Sequence, residues 1–240
     1  MTEAVLISLR DPDDTMAEHE RMCFAECARV PISSVKMHHI AKSLPPLHRL
    51  EDIGCIFFGG SGAYSVLDDL PWIHQTIDLM LAVVERKIPA YASCFGFQGL
   101  AKALGGTVRR DDTLTEMGSY ELSLTPDGNQ DSLFKTLPGK FWAQEGHHDH
   151  VVALPPGVTL LARGEQVHAQ AFRVNHAPFW ASQFHPELNY ERTLERFQFY
   201  ADHYLGEDEA SSREAFKSLK GGPNSPEVPE LLARLIRKQF

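Results

Sequence analysis

The sequence predicts an α/β fold, a three-layer α/β/α sandwich with a mainly parallel central sheet and an antiparallel extension. Three observations predict it. Short, continuously apolar runs recur through the first hundred residues, the mark of strands buried on both faces. Segments with a helical apolar period lie between these runs, as parallel strands with crossover helices require. After Gly106 the pattern changes to short alternating segments separated by Pro and Gly turns.

The elements follow in order. Ala4-Val5-Leu6-Ile7-Ser8-Leu9 is the first buried strand, and Asp11 to Asp14 form a turn and helix start. In the next segment Met16, Cys23, Cys27 and Val30 fall on one helical face. Val35 to Ile40 gives a second strand, and Gly54-Cys55-Ile56-Phe57-Phe58 a third, which ends in Gly59-Gly60-Ser61-Gly62. Pro71 suits a first helical turn, and Ile73, Ile77, Met80, Leu81 and Val84 supply that helix with an apolar stripe. Ile88 to Ser93 is a strand with Cys94 at its carboxyl end; Gln98 to Leu104 reads as helix, broken by Gly105-Gly106. The alternating segments 120–124 and 167–172 read as antiparallel strands. Asn189 is a good N-cap for a helix carrying Tyr190, Leu194, Phe197, Ala201 and Tyr204 on one face. This places one α/β domain over residues 1–205, a polar linker over 206–224 and an amphipathic helix over 225–240 with Leu231, Leu232, Leu235 and Ile236. That helix packs back on its own domain or offers a homodimer or partner contact; the first reading is favoured.

Composition narrows the function. The chain has 240 residues, 43% hydrophobic and 23% charged, as a globular domain has. A net charge of −9 without a clustered basic face argues against nucleic acid. No segment approaches the ~18 apolar residues of a membrane span, so no membrane partner is expected. No signal peptide is visible, and four cysteines, at 23, 27, 55 and 94, suit a reducing cytoplasm rather than a disulfide scaffold.

The chemistry concentrates in three places. His185-Pro186-Glu187 closes the apolar stretch 179–184 and joins an imidazole to a carboxylate that can orient it. Cys94, with Gly96 just beyond it, stands at a strand-turn-helix junction, at the sheet edge where open α/β folds bind ligands. The alternative is a buried core cysteine, the usual fate of an isolated Cys. The following helix N-terminus would favour a thiolate. The Gly59-Gly60-Ser61-Gly62 loop follows another strand at the same edge. It lacks the Lys-Ser or Lys-Thr of a phosphate loop, and its glycines let a backbone N–H approach a reacting carbonyl. The N–H groups of Gly60 and Phe95 are the natural oxyanion pair. Cys94, His185 and Glu187 then supply nucleophile, base and orienter for acyl transfer.

These motifs resemble the class I glutamine amidotransferases from about residue 4 to about residue 204, in the family's order. They run Gly59-Gly60, Cys94-Phe95-Gly96-Phe97-Gln98, Glu116-Met117-Gly118, His147-His148-Asp149 and Gln183-Phe184-His185-Pro186-Glu187. The middle motifs look most like the glutaminase domain of GMP synthase and its stand-alone relatives. The resemblance implies a flavodoxin-like domain in which Cys94 attacks the glutamine carboxamide and forms a thioester, releasing ammonia and then glutamate. It also implies that Gln98, Gly59 and the backbone at His148 and Asp149 border the substrate. No cofactor is implied. The chain has no room for a synthase domain after residue 205, so a separate synthase subunit would take the ammonia. Two other readings stay open: a γ-glutamyl peptidase or hydrolase with the same triad, and a catalytically silent regulatory or binding module.

Two departures stand out. Many members carry Gly-Gly-Pro where this chain has Gly59-Gly60-Ser61, which leaves the loop less constrained. The segment 144–150 is longer and richer in histidine than usual. His147, His148, Asp149 and His150 invite a metal, but consecutive side chains cannot all converge on one ion, and none is expected. Cys23, Cys27 and Cys55 read as core.

Overall fold

The computed structural model describes residues 3–46, 53–200 and 219–240. Among them, nine strands form one sheet in the order β2-β1-β3-β4-β11-β10-β9-β6-β7. The first five are parallel: β2 (Val35–His39), β1 (Ala4–Ser8), β3 (Cys55–Phe58), β4 (Ala90–Ser93) and β11 (Phe179–Ser182). From β11 the sheet continues antiparallel through β10 (Ala171–Val174), β9 (Val158–Arg163), β6 (Glu116–Leu124) and β7 (Lys140–His147). A separate hairpin-like pair joins β5 (Thr107–Arg110) to β8 (Asp149–Ala153). The parallel half thus has the strand order of the flavodoxin-like fold, with an antiparallel extension.

Alternation along the parallel strands builds two cores. Val5, Ile7, Ile56, Phe58, Ala90 and Ala92 face one way, against α2 (Pro71–Glu85) and α3 (Phe95–Ala103). Ala4, Leu6, Cys55, Phe57 and Tyr91 face the other way, toward α1 (Met16–Ala28) and the C-terminal helix. Helices on both faces explain why these strands read as unbroken apolar runs.

Local differences from the sequence pattern have physical causes. The buried stripe of α2 is Ile73, Thr76, Leu79, Met80, Val83 and Val84, so Ile77 and Leu81 lie at its margin. Helix α3 begins at Phe95, three residues earlier than the periodicity suggests. The glycines at 96 and 99 mask its start, and a Cβ on Gly96 would stand 2.9 Å from the Phe58 carbonyl. Residues 167–170 are not strand; β10 starts at Ala171. The Gly164 N–H closes a loop onto the Val167 carbonyl, and the Gln170 amide is drawn inward to Glu116.

Asn189 caps α4 (Tyr190–Phe199), its Oδ1 accepting from Arg192 N–H at 2.8 Å. Ala201 and Tyr204, assigned to the same face, lie outside the described residues, as does 206–218 of the linker. Residues 219–222 lie along β6 and β7: Ser119 N–H donates to the Lys220 carbonyl and the Gln144 amide to that of Gly222. The final helix, α5 (Glu230–Ile236), buries Leu231, Leu232, Leu235 and Ile236 in the chain's own core.

Candidate active site

Four adjacent parallel strands end at one edge and deliver four groups there. Arg10 follows β1, Gly59 and Gly60 follow β3, Cys94 follows β4, and His185 lies three residues beyond β11. Strands β4 and β11 pair in register, Ser93 opposite Ser182, and Cys94 N–H donates to the Ser182 carbonyl at 2.9 Å. Cys94 has φ 51° and ψ −106°, a conformation costly for a residue with a Cβ. It is held because β4 must turn directly into α3, whose first turn closes with Gln98 N–H on the Cys94 carbonyl. This is the geometry of a nucleophile elbow.

His185 is fixed from two sides. Its backbone N–H donates to the Gln144 carbonyl on β7 at 2.9 Å, and its Nδ1–H donates to Glu187 Oε1 at 2.7 Å. Nε2 is thereby left to act as the base. Glu187 is buried, and burial alone would raise its pKa. The His185 and Arg196 cations and the His185 hydrogen bond outweigh that and hold it down to about 2.

Behind this pair lies a charge network that the sequence reading missed. Arg196 Nη1 reaches Glu187 Oε1 at 3.3 Å and Glu20 Oε1 at 3.7 Å. Arg10 Nη2 donates to the same Glu20 oxygen at 3.2 Å, and its Nη1 donates to the Tyr200 hydroxyl. Glu20 is 0% exposed. One signal was available: Ala17, Glu20, Phe24 and Ala28 share the buried face of α1, so a carboxylate sits on an apolar stripe.

The oxyanion loop is part of that network. Gly60 N–H donates to Glu20 Oε1 at 3.0 Å, and the Gly59 carbonyl accepts from Gly96 N–H at 3.3 Å. Gly60 otherwise sits where the family resemblance places it. A Cβ there would stand 3.0 Å from His185 Cε1 and 3.8 Å from Cys94 Cβ. Gly59 turns toward Glu20 instead of the cavity. The Cys94 thiol donates to the Gly146 carbonyl at 3.7 Å. Burial pushes its pKa up strongly, and Glu145 and Glu187 add to the rise. The Phe95 N–H lowers it, so the helix N-terminus acts in the expected direction but is outweighed.

A polar cavity of about 230 Å³ opens beside Cys94, lined by Ser61, Tyr64, Phe95, Gln98, Arg110 and Asp149 among others. The Gln98 amide donates to the Asp149 carbonyl at 2.8 Å and to Gln183 Oε1 at 3.3 Å, so it braces the wall. Asp149 accepts from the Ser65 hydroxyl through Oδ2, while its buried Oδ1 has no partner. His148 borders the cavity and turns to Thr115 Oγ1 at 2.8 Å and Asp112 at 3.3 Å.

The histidine run diverges. His147 points into the β6–β7 hairpin, 3.1 Å from Glu116 Oε2 and 3.4 Å from Glu145 Oε2, whereas His150 lies on β8 opposite Arg109. Glu116, Glu145 and His147 bring their ligand atoms within 4.8 Å of one another, the one such trio among the described residues. Burial opposes a charged His147, but its bonds to Glu116 and Glu145 raise it to about 9. Burial raises Glu145 to about 7. A proton shared by imidazole and carboxylates accounts for the cluster, and an ion would have to displace it.

Fold and site together define a protein that presents a cysteine, a histidine and a buried carboxylate at the carboxyl edge of a parallel sheet. A family model for Glutamine amidotransferase class-I matches residues 20–200, and the chain belongs to that family. Relatives include a subunit of glutamine-hydrolyzing GMP synthase from Sulfurisphaera tokodaii, 32% identical over 158 residues, 65% of this chain and 80% of that one. The corresponding protein of Thermococcus kodakarensis is 34% identical over 158 residues, 62% of this chain and 76% of that one. A glutamine amidotransferase from Thermotoga maritima superposes with a TM-score of 0.72 at 22% identity, covering 99% of this chain and 97% of that one, which supports the fold. No helix among the described residues is long and apolar enough to cross a membrane.

Proposed function

We propose that this chain is a glutaminase that hydrolyses the side-chain amide of glutamine through a Cys94 thioester. The observation that carries the reading is the strained elbow at Cys94, one strand away from a His185–Glu187 pair joined at 2.7 Å. A structural cysteine needs no such backbone strain and no adjacent oriented base.

The roles follow from the chemistry. The Cys94 thiol is protonated at rest, so His185 Nε2 takes its proton as sulfur attacks the γ-carbonyl carbon. The electron pair of the carbonyl moves onto oxygen, and Phe95 N–H, at the start of α3, donates to it. The intermediate collapses with expulsion of ammonia, which leaves with the proton held on His185. Water, deprotonated by the same imidazole, then opens the thioester to glutamate and free thiol. Glu187, held ionised by His185 and Arg196, keeps Nε2 directed at the sulfur and stabilises the imidazolium. The polar cavity takes the amino-acid end of the substrate, with the unpartnered Asp149 Oδ1 as acceptor for its α-ammonium group. The relatives are separately encoded pieces of GMP synthase, and by that likeness the ammonia goes to a distinct synthase subunit.

Release of ammonia and glutamate in equal amounts from glutamine tests the reading. Activity should be present in the wild-type chain and absent in Cys94→Ala. Full activity in Cys94→Ala sinks it.

A further inference from the structure

Resting on Cys94 as the nucleophile, we infer that the Ser61 hydroxyl, with Phe95 N–H, receives the oxyanion, and that Gly60 N–H does not. Gly60 N–H already donates to a full carboxylate, Glu20 Oε1, at 3.0 Å. A charge-assisted bond of that kind is about twice as strong as a neutral one. Glu20 cannot swing away cheaply, because it is wholly buried and neutralises both Arg10 and Arg196. The peptide is also held at its other end, where the Gly59 carbonyl accepts from Gly96 N–H. Turning Gly60 N–H toward the thiol breaks both bonds and leaves a buried carboxylate short of a donor.

Ser61 is the next residue. It lines the polar cavity with Cys94 and Phe95, and also the second, more apolar recess that reaches Cys94 from the Arg196 and Phe197 side. It therefore stands where the two approaches to the sulfur meet. Its Oγ is shielded from solvent and has no hydrogen-bond partner. Buried hydroxyls without partners are rare in folded proteins and call for a role. A donor kept free beside a nucleophile, next to a backbone N–H already committed elsewhere, fits an oxyanion contact made only when substrate is attacked. A hydroxyl donor of this kind turns about χ1 and needs no backbone rearrangement.

The test compares wild type, Ser61→Ala, Ser61→Thr and Cys94→Ala in ammonia release from glutamine and from a γ-glutamyl amide. Alkylation of Cys94 by iodoacetamide is followed in parallel, because displacement at its carbon forms no oxyanion. Ser61→Ala should lower kcat about 100- to 1,000-fold while KM stays within about threefold. Its alkylation rate should match wild type, which excludes a collapsed site. Ser61→Thr, which keeps the hydroxyl, should retain kcat within about tenfold. Wild-type kcat in Ser61→Ala, a Ser61→Thr as slow as Ser61→Ala, or slowed alkylation in Ser61→Ala overturns the inference alone. Turnover surviving in Cys94→Ala, or none in wild type, overturns it together with the glutaminase reading.

Discussion

At the scale of single residues, the site is built around a thiol that is not yet a nucleophile. Burial and two nearby carboxylates keep Cys94 protonated, so attack depends on the imidazole and not on a standing thiolate. His185→Ala should lower kcat by about 1,000-fold or more, because the thiol loses its base. Glu187→Gln should be milder, since a neutral amide can still accept from Nδ1–H. A ranking of kcat with Glu187→Gln below His185→Ala would contradict the assigned roles. These three residues were legible in the sequence because each lies next to a strand end, and strand ends in a parallel sheet share one edge. Arg10, Glu20 and Arg196 were not, because the network exists only once β1, α1 and α4 pack together. Gly60 was found in its expected place, yet its N–H has a partner that no motif encodes.

At the scale of elements, the β6–β7 hairpin carries a buried group whose protonation contributes to folding. Glu116 lies opposite His147 and Gly118 opposite Glu145, so one imidazole meets two carboxylates across the pair. Both shifted groups have folded pKa values above their unfolded ones. Each therefore binds its proton more tightly in the native state. The stability from Glu145 is present below about 4.5 and lost as pH rises through about 7; that from His147 is present below about 6.5 and lost through about 9. The thermal midpoint should fall as pH is raised from about 6 to about 9, and the fall should flatten in His147→Gln. A midpoint that rises over this range would show that the proton is not held there. The sequence marked this stretch only as a histidine cluster. Whether its side chains converge or diverge depends on β7 ending at His147 and β8 starting at Asp149, a turn too short for propensities to place.

At the scale of the molecule, two apolar cores sandwich the sheet, and the catalytic edge is the rim where both end. The five parallel strands were readable as apolar runs, and the change to antiparallel after Gly106 as a change of period. The C-terminal segment was less readable, since an amphipathic helix looks the same whether it covers its own domain or another chain. Here the α5 leucines fill the core beside α1. Leu232→Ala should cost about 2–5 kcal/mol in urea unfolding while leaving kcat for glutamine near wild type. A loss below ~0.5 kcal/mol, the usual range of surface substitutions, would mean that α5 does not sit in the core.

The central claim is covalent catalysis at Cys94. Rapid mixing with glutamine, acid quench and intact-mass measurement with peptide mapping tests it most directly. The account predicts a transient adduct of one glutamyl group on Cys94, formed as ammonia appears, decaying as glutamate appears, and absent in Cys94→Ala. Ammonia release without any adduct on Cys94, at a rate unchanged in Cys94→Ala, would contradict it.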